Sequence, residues 1–404
     1  MPNNVPALGS FVPDSTLALL TLTRIRGLGP VRTKAALRSF GSPEAVLGAS
    51  AASLKRVEGI GGGVASAVGR DQASARRSAI DELEEAADIG ARLVAIDDPE
   101  YPALLRPLDD APLLLWVRGR TDWSGADRFG IGVVGSRRCS AYGLEQAERF
   151  GASLARSGLS IVSGGARGID TAAHRGALAA RGRTIVLLGC GLGHVYPPEN
   201  RAMFDRIAEE SGAIVSELPI GSPPSPEHFP SRNRLISGMS LGVLVVEAGR
   251  RSGALITARL AAEDHGREVF ALPGRVDHDA CAGSLDLIKQ GGAQLVTGPE
   301  DVLAGLEAPA RHQHLGTHEH RYPPLISDSA PPHHESMSPE HPTRIGREMS
   351  DAERVIVQAC TEPMTTDAIQ RVTGLPASTV ARHLTVLELA GAVRREGGLF
   401  RARG

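Results

Sequence analysis

Residues Leu159 to Gly182 read LSIVSGGARGIDTAAHRGALAARG. A short apolar strand (Leu159, Ile161, Val162) runs into Ser163-Gly164-Gly165-Ala166-Arg167-Gly168, and a helix is predicted to begin near Ile169-Asp170. Glycines at a strand-to-helix turn lack Cβ, so a ligand can approach the backbone closely. The free N–H groups and the dipole of the first helical turn favour an anion there. Arg167 adds a positive charge in the same loop. The stretch reads as a phosphate cradle, and the question is whose phosphate it holds.

Outward from this unit the same alternation repeats. Strand-like runs are predicted at Gly130–Gly135, Leu159–Ser163, Thr184–Gly189, Ala213–Glu217, Leu241–Glu247, Glu268–Leu272 and Gln294–Val296. Helical stretches at Gly143–Ser157, Ile169–Arg181, Asn200–Ser211, Ala254–His265 and Ser284–Gln290 separate most of them. Near-continuous Val/Ile/Leu strands with helical crossovers mean a parallel sheet covered on both faces. The fold class is therefore α/β, a Rossmann-like doubly wound sheet. Upstream, 91–125 carries two apolar runs among prolines and is read as a linker segment with an extra strand, giving an extended sheet domain over 91–308.

Two smaller modules flank it. Between residues 15 and 90 the pattern is helical and contains two similar units. Ile25-Arg26-Gly27-Leu28-Gly29 precedes one small-residue helix, and Val57-Glu58-Gly59-Ile60-Gly61 precedes another. They resemble tandem helix-hairpin-helix units of the SAM-like fold. Such hairpins bind DNA phosphates through backbone N–H groups, or serve as helix caps in a packing domain. Residues 309–346 are rich in Pro and His with no hydrophobic period, and read as a flexible linker. Residues 347–404 read as a winged helix, with Ser378, Thr379, Arg382 and His383 on its recognition helix and Arg394, Arg395 and Arg401 on the wing. The tail is equally readable as a protein-contact module or a DNA binder.

Composition sets limits. The 404 residues exceed one ordinary domain and are 42% hydrophobic but only 3% aromatic, with a formal net charge of −2. There is no global polyelectrolyte signature for nucleic acid, so any basic surface is local. Only Lys34, Lys55 and Lys289 are lysines, so the basic surface is built from arginine, the better bidentate phosphate ligand. Cys139, Cys190, Cys281 and Cys360 are widely spaced, which predicts free thiols in a reducing cytoplasm. No signal-peptide pattern and no long apolar run is read, so neither membrane nor export is expected.

In a doubly wound sheet, ligands bind beyond the carboxyl ends of the strands. The loops there are Gly135-Ser136-Arg137-Arg138, Gly164 to Gly168, a long loop ending Phe229-Pro230-Ser231-Arg232-Asn233-Arg234, Gly249 to Ala254, and Pro273-Gly274-Arg275, with Lys289 on the following helix. A row of glycine-arginine loops suits a repeating polyanion better than one mononucleotide. Gly130-x-Gly132-x-x-Gly135 matches a dinucleotide fingerprint literally, but its first glycines lie within a strand and the expected acid after the second strand is replaced by glycines. No P-loop and no G-x-S-x-G elbow is present. His174 has no activated nucleophile beside it, and the cysteines and histidines show no metal spacing. No catalytic residue, cofactor or metal is assigned. A nucleoside-monophosphate phosphoribohydrolase is a rival, though its Pro-Gly-Gly loop is missing around Glu247 to Thr257. A transcription regulator using the winged helix is another.

Several motifs occur together in order: Val134-Gly135-Ser136-Arg137, Ser163 to His174, Gly189-Cys190-Gly191-Leu192, Tyr196 to Asn200, Phe229 to Gly238, Ser252 to Ala258, and Val269 to Gly274. Together they resemble the DprA (Smf) family of DNA-processing proteins. The resemblance implies a binder of single-stranded DNA that protects it during natural transformation. It also implies loading of a RecA-type recombinase onto strands held by single-strand-binding protein, and a homodimer formed through the Rossmann domain, without catalysis. Arg137, Arg167, Arg232 and Arg234 are expected to pair with phosphates. Gly135, Ser136, Gly164, Gly165, Ser252 and Gly253 are expected to offer backbone or hydroxyl donors, with Asn233 beside them and Lys289 as a flanking charge. The competing reading of Arg232-Asn233-Arg234 is internal pairing with Glu217 or Glu247.

Overall fold

The computed structural model describes residues 12–315 and, with short interruptions, 350–402. Contacts divide the chain into two compact units, 1–325 and 326–404, each considered by itself.

The first unit is built on a nine-stranded sheet: β1 (Ala91–Ala95), β2 (Leu114–Gly119), β3 (Gly130–Val134), β4 (Ser160–Ser163), β5 (Thr184–Leu187), β6 (Gly212–Ser216), β7 (Gly242–Val245), β8 (Glu268–Ala271) and β9 (Gln294–Leu295). Their spatial order is β1-β2-β6-β5-β4-β3-β7-β8-β9. From β6 to β9 every neighbouring pair is parallel, whereas β1, β2 and β6 pair antiparallel. The chain winds from β3 outward through β4, β5 and β6, then returns to β7 on the other side of β3. The topological switch point therefore lies between β3 and β7. This is the expected doubly wound fold, and 91–125 supplies two strands rather than one.

The period-two alternation of strand side chains separates two cores. Val243 and Val245 face one, with Leu235 and Ile236 of α9 (His228–Gly238) and Ala254 and Ala258 of α10 (Gly253–Arg259). Leu244 and Val246 face the other, with Phe150 and Leu154 of α6 (Ala141–Arg156), Ala173 and Ala177 of α7 (Ile169–Ala179), and Val302 and Leu306 of α12 (Pro299–Leu315). Helix α9 replaces the long loop expected before Arg234. Helix α12 continues past residue 309, where a linker was expected. The remainder of that stretch, 316–349, lies outside the described residues.

The front of the chain is five helices: α1 (Asp14–Arg24), α2 (Pro30–Phe40), α3 (Pro43–Leu47), α4 (Ala51–Leu54) and α5 (Gly62–Asp88). The sequence repeat is a structural one. Gly27 and Gly59 hold φ of 84° and 80°, and Gly29 and Gly61 are the N-caps of α2 and α5. An L side chain at either positive-φ position would be strained. Leu19, Leu20, Ala79 and Ala86 of this bundle share a core with Trp116, Phe204 and Ile214 of the sheet domain. Glu82 pairs with Arg24 and also accepts the Ile220 N–H at 2.9 Å, so one buried carboxylate joins α1, α5 and the loop after β6.

In the second unit, helices Asp351–Ala359 and Thr366–Thr373 and the hairpin Val393–Glu396/Leu399–Ala402 enclose Ile356, Cys360, Ile369, Val380, Leu384, Leu387, Val393 and Phe400. Met364 bridges Phe400 as a third short strand. Of the residues expected to meet DNA there, Ser378 and Arg382 lie outside the described residues, as do the side chains of Arg394 and Arg395.

Candidate nucleic-acid interface

A cleft of about 1200 Å³ opens beyond the carboxyl ends of β3 and β7. Three segments build its wall. The loop after β3 contributes Gly135, Ser136, Arg137 and Arg138, the start of α9 contributes Phe229, Arg232 and Asn233, and the loop into α10 contributes Arg251, Ser252 and Gly253. Asp170 reaches it from α7, Tyr196 from the loop after β5, and Asp277 to Ala280 also line it.

The loop after β3 is locked to the segments after β7 and β4. Ser136 N–H donates to Glu247 O at 2.7 Å, and Ile169 N–H donates to Ser136 O at 3.3 Å. Gly168, at φ 81°, lies so close that a Cβ there would collide with Ser136 O. Gly164 is covered by the Arg232 guanidinium, and Gly165 lies against Phe204 and Val186. Both glycines are buried. The space their missing side chains leave is occupied by neighbouring protein groups.

The arginines divide by partner. Arg232 is 4% exposed; its Nη1 donates to Gly164 O at 2.8 Å and to Leu187 O, tying the ends of β4 and β5 together. Burial, opposed by nearby Asp170, lowers its pKa to about 10. Arg234 is ion-paired with Glu217 and lies 3.8 Å from Asp110, away from the cleft. The departure from the expected phosphate contacts follows from α9. Consecutive helical residues point in directions about 100° apart, so Arg232 faces the core, Asn233 the cleft and Arg234 the opposite flank. Asn233 Nδ2 donates to Gly253 O at 3.3 Å.

Arg167 is exposed and makes a bidentate pair with Glu199, the second bond at 3.0 Å. Lys289 is exposed at the end of α11 (Ala282–Lys289) and does not line the cleft. Arg250 and Arg275, also on these loops, pair with Asp286 and Asp277. Arg137, Arg138 and Arg251 are different: all three are exposed, and none forms an ion pair among the described residues. The Arg137 guanidinium sits 4.8 Å from the Phe229 ring centroid, and Tyr196 lies 5.5 Å from the same ring. Phe229, Tyr196, Arg138 and Arg251 are cleft residues to which the expected site assigns no role. Phe229 and Tyr196 stand in the motifs that carry the resemblance, and Arg138 and Arg251 in the glycine-arginine loops.

Two buried titratable groups lie behind the cleft. Burial raises the Asp170 pKa to about 6, although Arg232 and backbone N–H groups pull it down. His174 is fully buried with its Nδ1 2.7 Å from Thr184 Oγ1, and burial, then Arg232, lowers its pKa to about 3. A neutral His174 packed on β5 is a core residue. Ser252 caps α10 through its hydroxyl, which accepts the Ala254 N–H at 3.3 Å.

The fold and site define a class: a doubly wound α/β protein with an arginine-rimmed switch-point cleft, preceded by a helix-hairpin-helix tandem and followed by a winged helix. Residues 92–307 match the family model "DNA recombination-mediator protein A", residues 339–398 the DprA winged helix domain, and residues 19–68 the SAM-like helix-hairpin-helix tandem. Protein Smf of Synechocystis is 35% identical over 401 residues, covering 94% of this chain and 96% of that protein. Protein Smf of Escherichia coli is 39% identical over 312 residues, 77% of each chain. The X-ray structure of DNA processing protein A from Streptococcus pneumoniae superposes with a TM-score of 0.57 at 35% identity, over 72% of this chain and 98% of that one. The chain belongs to the DprA (Smf) family.

Proposed function

We propose that the chain binds single-stranded DNA in the switch-point cleft without strong sequence preference, protects it, and helps load a RecA-type recombinase. The observation that carries this reading is Arg137 lying over Phe229 in a cleft whose other exposed arginines, Arg138 and Arg251, form no ion pair among the described residues. Unpaired guanidinium groups suit phosphates. An aromatic face suits a base that is not already stacked in a duplex. The volume, about 1200 Å³, exceeds the roughly 300–1000 Å³ typical of small-molecule sites, which favours an extended ligand.

In this reading Ser136, Ser252 and Gly253 offer hydroxyl or backbone donors around Arg137, and Asn233 adds an amide. Gly135, Gly164, Gly165 and Arg232 shape the loops from behind. Arg167 reaches phosphate only by leaving Glu199, and Lys289 acts at most at a distance. Recombinase loading, contact with single-strand-binding protein, assembly as a homodimer through the doubly wound domain and a cytoplasmic setting rest on the family relationship, and no catalysis is part of the reading. Among the described residues, no helix is long and apolar enough to cross a membrane.

The test is fluorescence anisotropy of labelled oligo-dT and of a duplex of equal length at two salt concentrations. The single strand is expected to bind more tightly, with log K falling linearly in log salt. Equal affinity for both forms contradicts the proposal.

A further inference from the structure

Glu247 lies two residues past the end of β7, is 1% exposed, and forms no ion pair among the described residues. Its carboxylate accepts Ser140 N–H at 2.9 Å and Ser140 Oγ–H at 2.6 Å. Ser140 is the N-cap of α6, so the positive end of that helix compensates the buried carboxylate in part, and a bound cation would complete the compensation. Two softer donors stand beside it. His278 and Cys281 are brought together by a turn in which Cys281 N–H donates to His278 O at 2.9 Å. That turn is pinned to the end of β7, because Gly283 N–H and Ser284 N–H both donate to Ala248 O, at 2.8 and 3.1 Å. Gly274 leaves room for the buried Cys281 sulfur, which a Cβ at 274 would strike.

We propose that Glu247, His278 and Cys281 bind one divalent transition-metal ion of the zinc class beside the cleft. One donor atom from each lies within 4.8 Å of the others. Metal–ligand bonds of about 2.0–2.3 Å place tetrahedral donors roughly 3.5 Å apart, and exposed His278 has the freedom to close the difference. A thiol and an imidazole select zinc-like ions over magnesium or calcium, which prefer oxygen donors. The hydroxyl and amide on Glu247 orient it as outer partners orient metal ligands. Three protein donors leave a fourth position, and His278 lines the cleft wall. The sequence pattern is His278-x-x-Cys281 with a distant acid, which a search for paired cysteines passes over.

The site is independent of the DNA-binding reading. The experiment is titration of the metal-free full chain with Co²⁺, followed by absorbance. One equivalent is expected to produce the near-ultraviolet thiolate-to-cobalt charge-transfer band, and Zn²⁺ but not excess Mg²⁺ should abolish it. Histidines at 312–341 bind without such a band, so they do not confuse the readout. Cys281→Ser should lose the band, Cys139→Ser should keep it, and His278→Ala should weaken binding at least tenfold. A wild-type chain without the band, a Cys281→Ser chain with it, a Cys139→Ser chain lacking it, or an unchanged affinity in His278→Ala would overturn the site. If Cys281→Ser fails to fold by circular dichroism, His278→Ala decides, because that side chain is exposed.

Discussion

Arg232 and Arg137 show how one residue type does two jobs. Arg232 is buried against carbonyls and Asp170, so Arg232→Ala should cost about 3–5 kcal/mol of folding stability, the usual penalty for stranding a buried partner. Thermal or urea unfolding measures this, and an unchanged midpoint with lost DNA affinity would instead make Arg232 a ligand contact. Arg137→Ala should leave the unfolding midpoint nearly unchanged and cost about 1.5–3 kcal/mol of oligo-dT affinity, roughly 10- to 100-fold. His174 supplies a pH test. Its folded pKa, lowered from 6.5 to about 3, means its stabilising contribution is full above 6.5 and is lost as pH falls toward 3, up to about 5 kcal/mol. The stability advantage of wild type over His174→Gln should therefore shrink across that window. Asp170, raised to about 6, acts in the opposite sense, costing stability as pH rises from about 4 to 6, but both proteins carry it. A difference that does not vary with pH would mean His174 is not held neutral by its burial.

At the scale of elements, the parallel strands were legible because most are short Val/Ile/Leu-rich runs with glycine nearby, and their sequence spans agree with the structure to within a few residues. Helix α9 was not legible. Pro230, Ser231, Asn233 and Gly238 are poor helix formers, and its apolar residues are confined to Leu235, Ile236 and the entry at Phe229. Reading 229–234 as loop put Arg232, Asn233 and Arg234 on one rim, whereas the helical turn disperses them. The glycines were legible as a place of close approach, but sequence carries no sign of what approaches. Here Ser136 O lies against Gly168 and Arg232 against Gly164. Gly168→Ala should accordingly destabilise the protein by about 1–3 kcal/mol, through the positive φ and the clash with the neighbouring loop. Urea unfolding tests it, and a neutral effect would mean the two loops are not rigidly packed.

For the whole molecule, the helical front is anchored by Glu82, which holds both Arg24 and the Ile220 amide, and shares its core with the sheet. The cleft depends on that sheet, since its walls come from the ends of β3 and β7 and from the helices that follow. The opening segment Leu159–Gly182 keeps its structural place, and its glycines pack against the loop after β3 and against Arg232. Of the expected phosphate ligands, Arg167 is paired with Glu199, whereas Arg137 and the unassigned Arg251 form no ion pair among the described residues. The most direct measurement compares oligo-dT affinity, at one fixed salt concentration, for the full chain carrying Arg137→Ala with Arg251→Ala and for the full chain carrying Arg167→Ala with Lys289→Ala. The first pair should lose at least a hundredfold, about 1.5–3 kcal/mol per contact, and the second less than tenfold. Equal losses, or a larger loss in the Arg167/Lys289 pair, would contradict the switch-point cleft as the single-strand site.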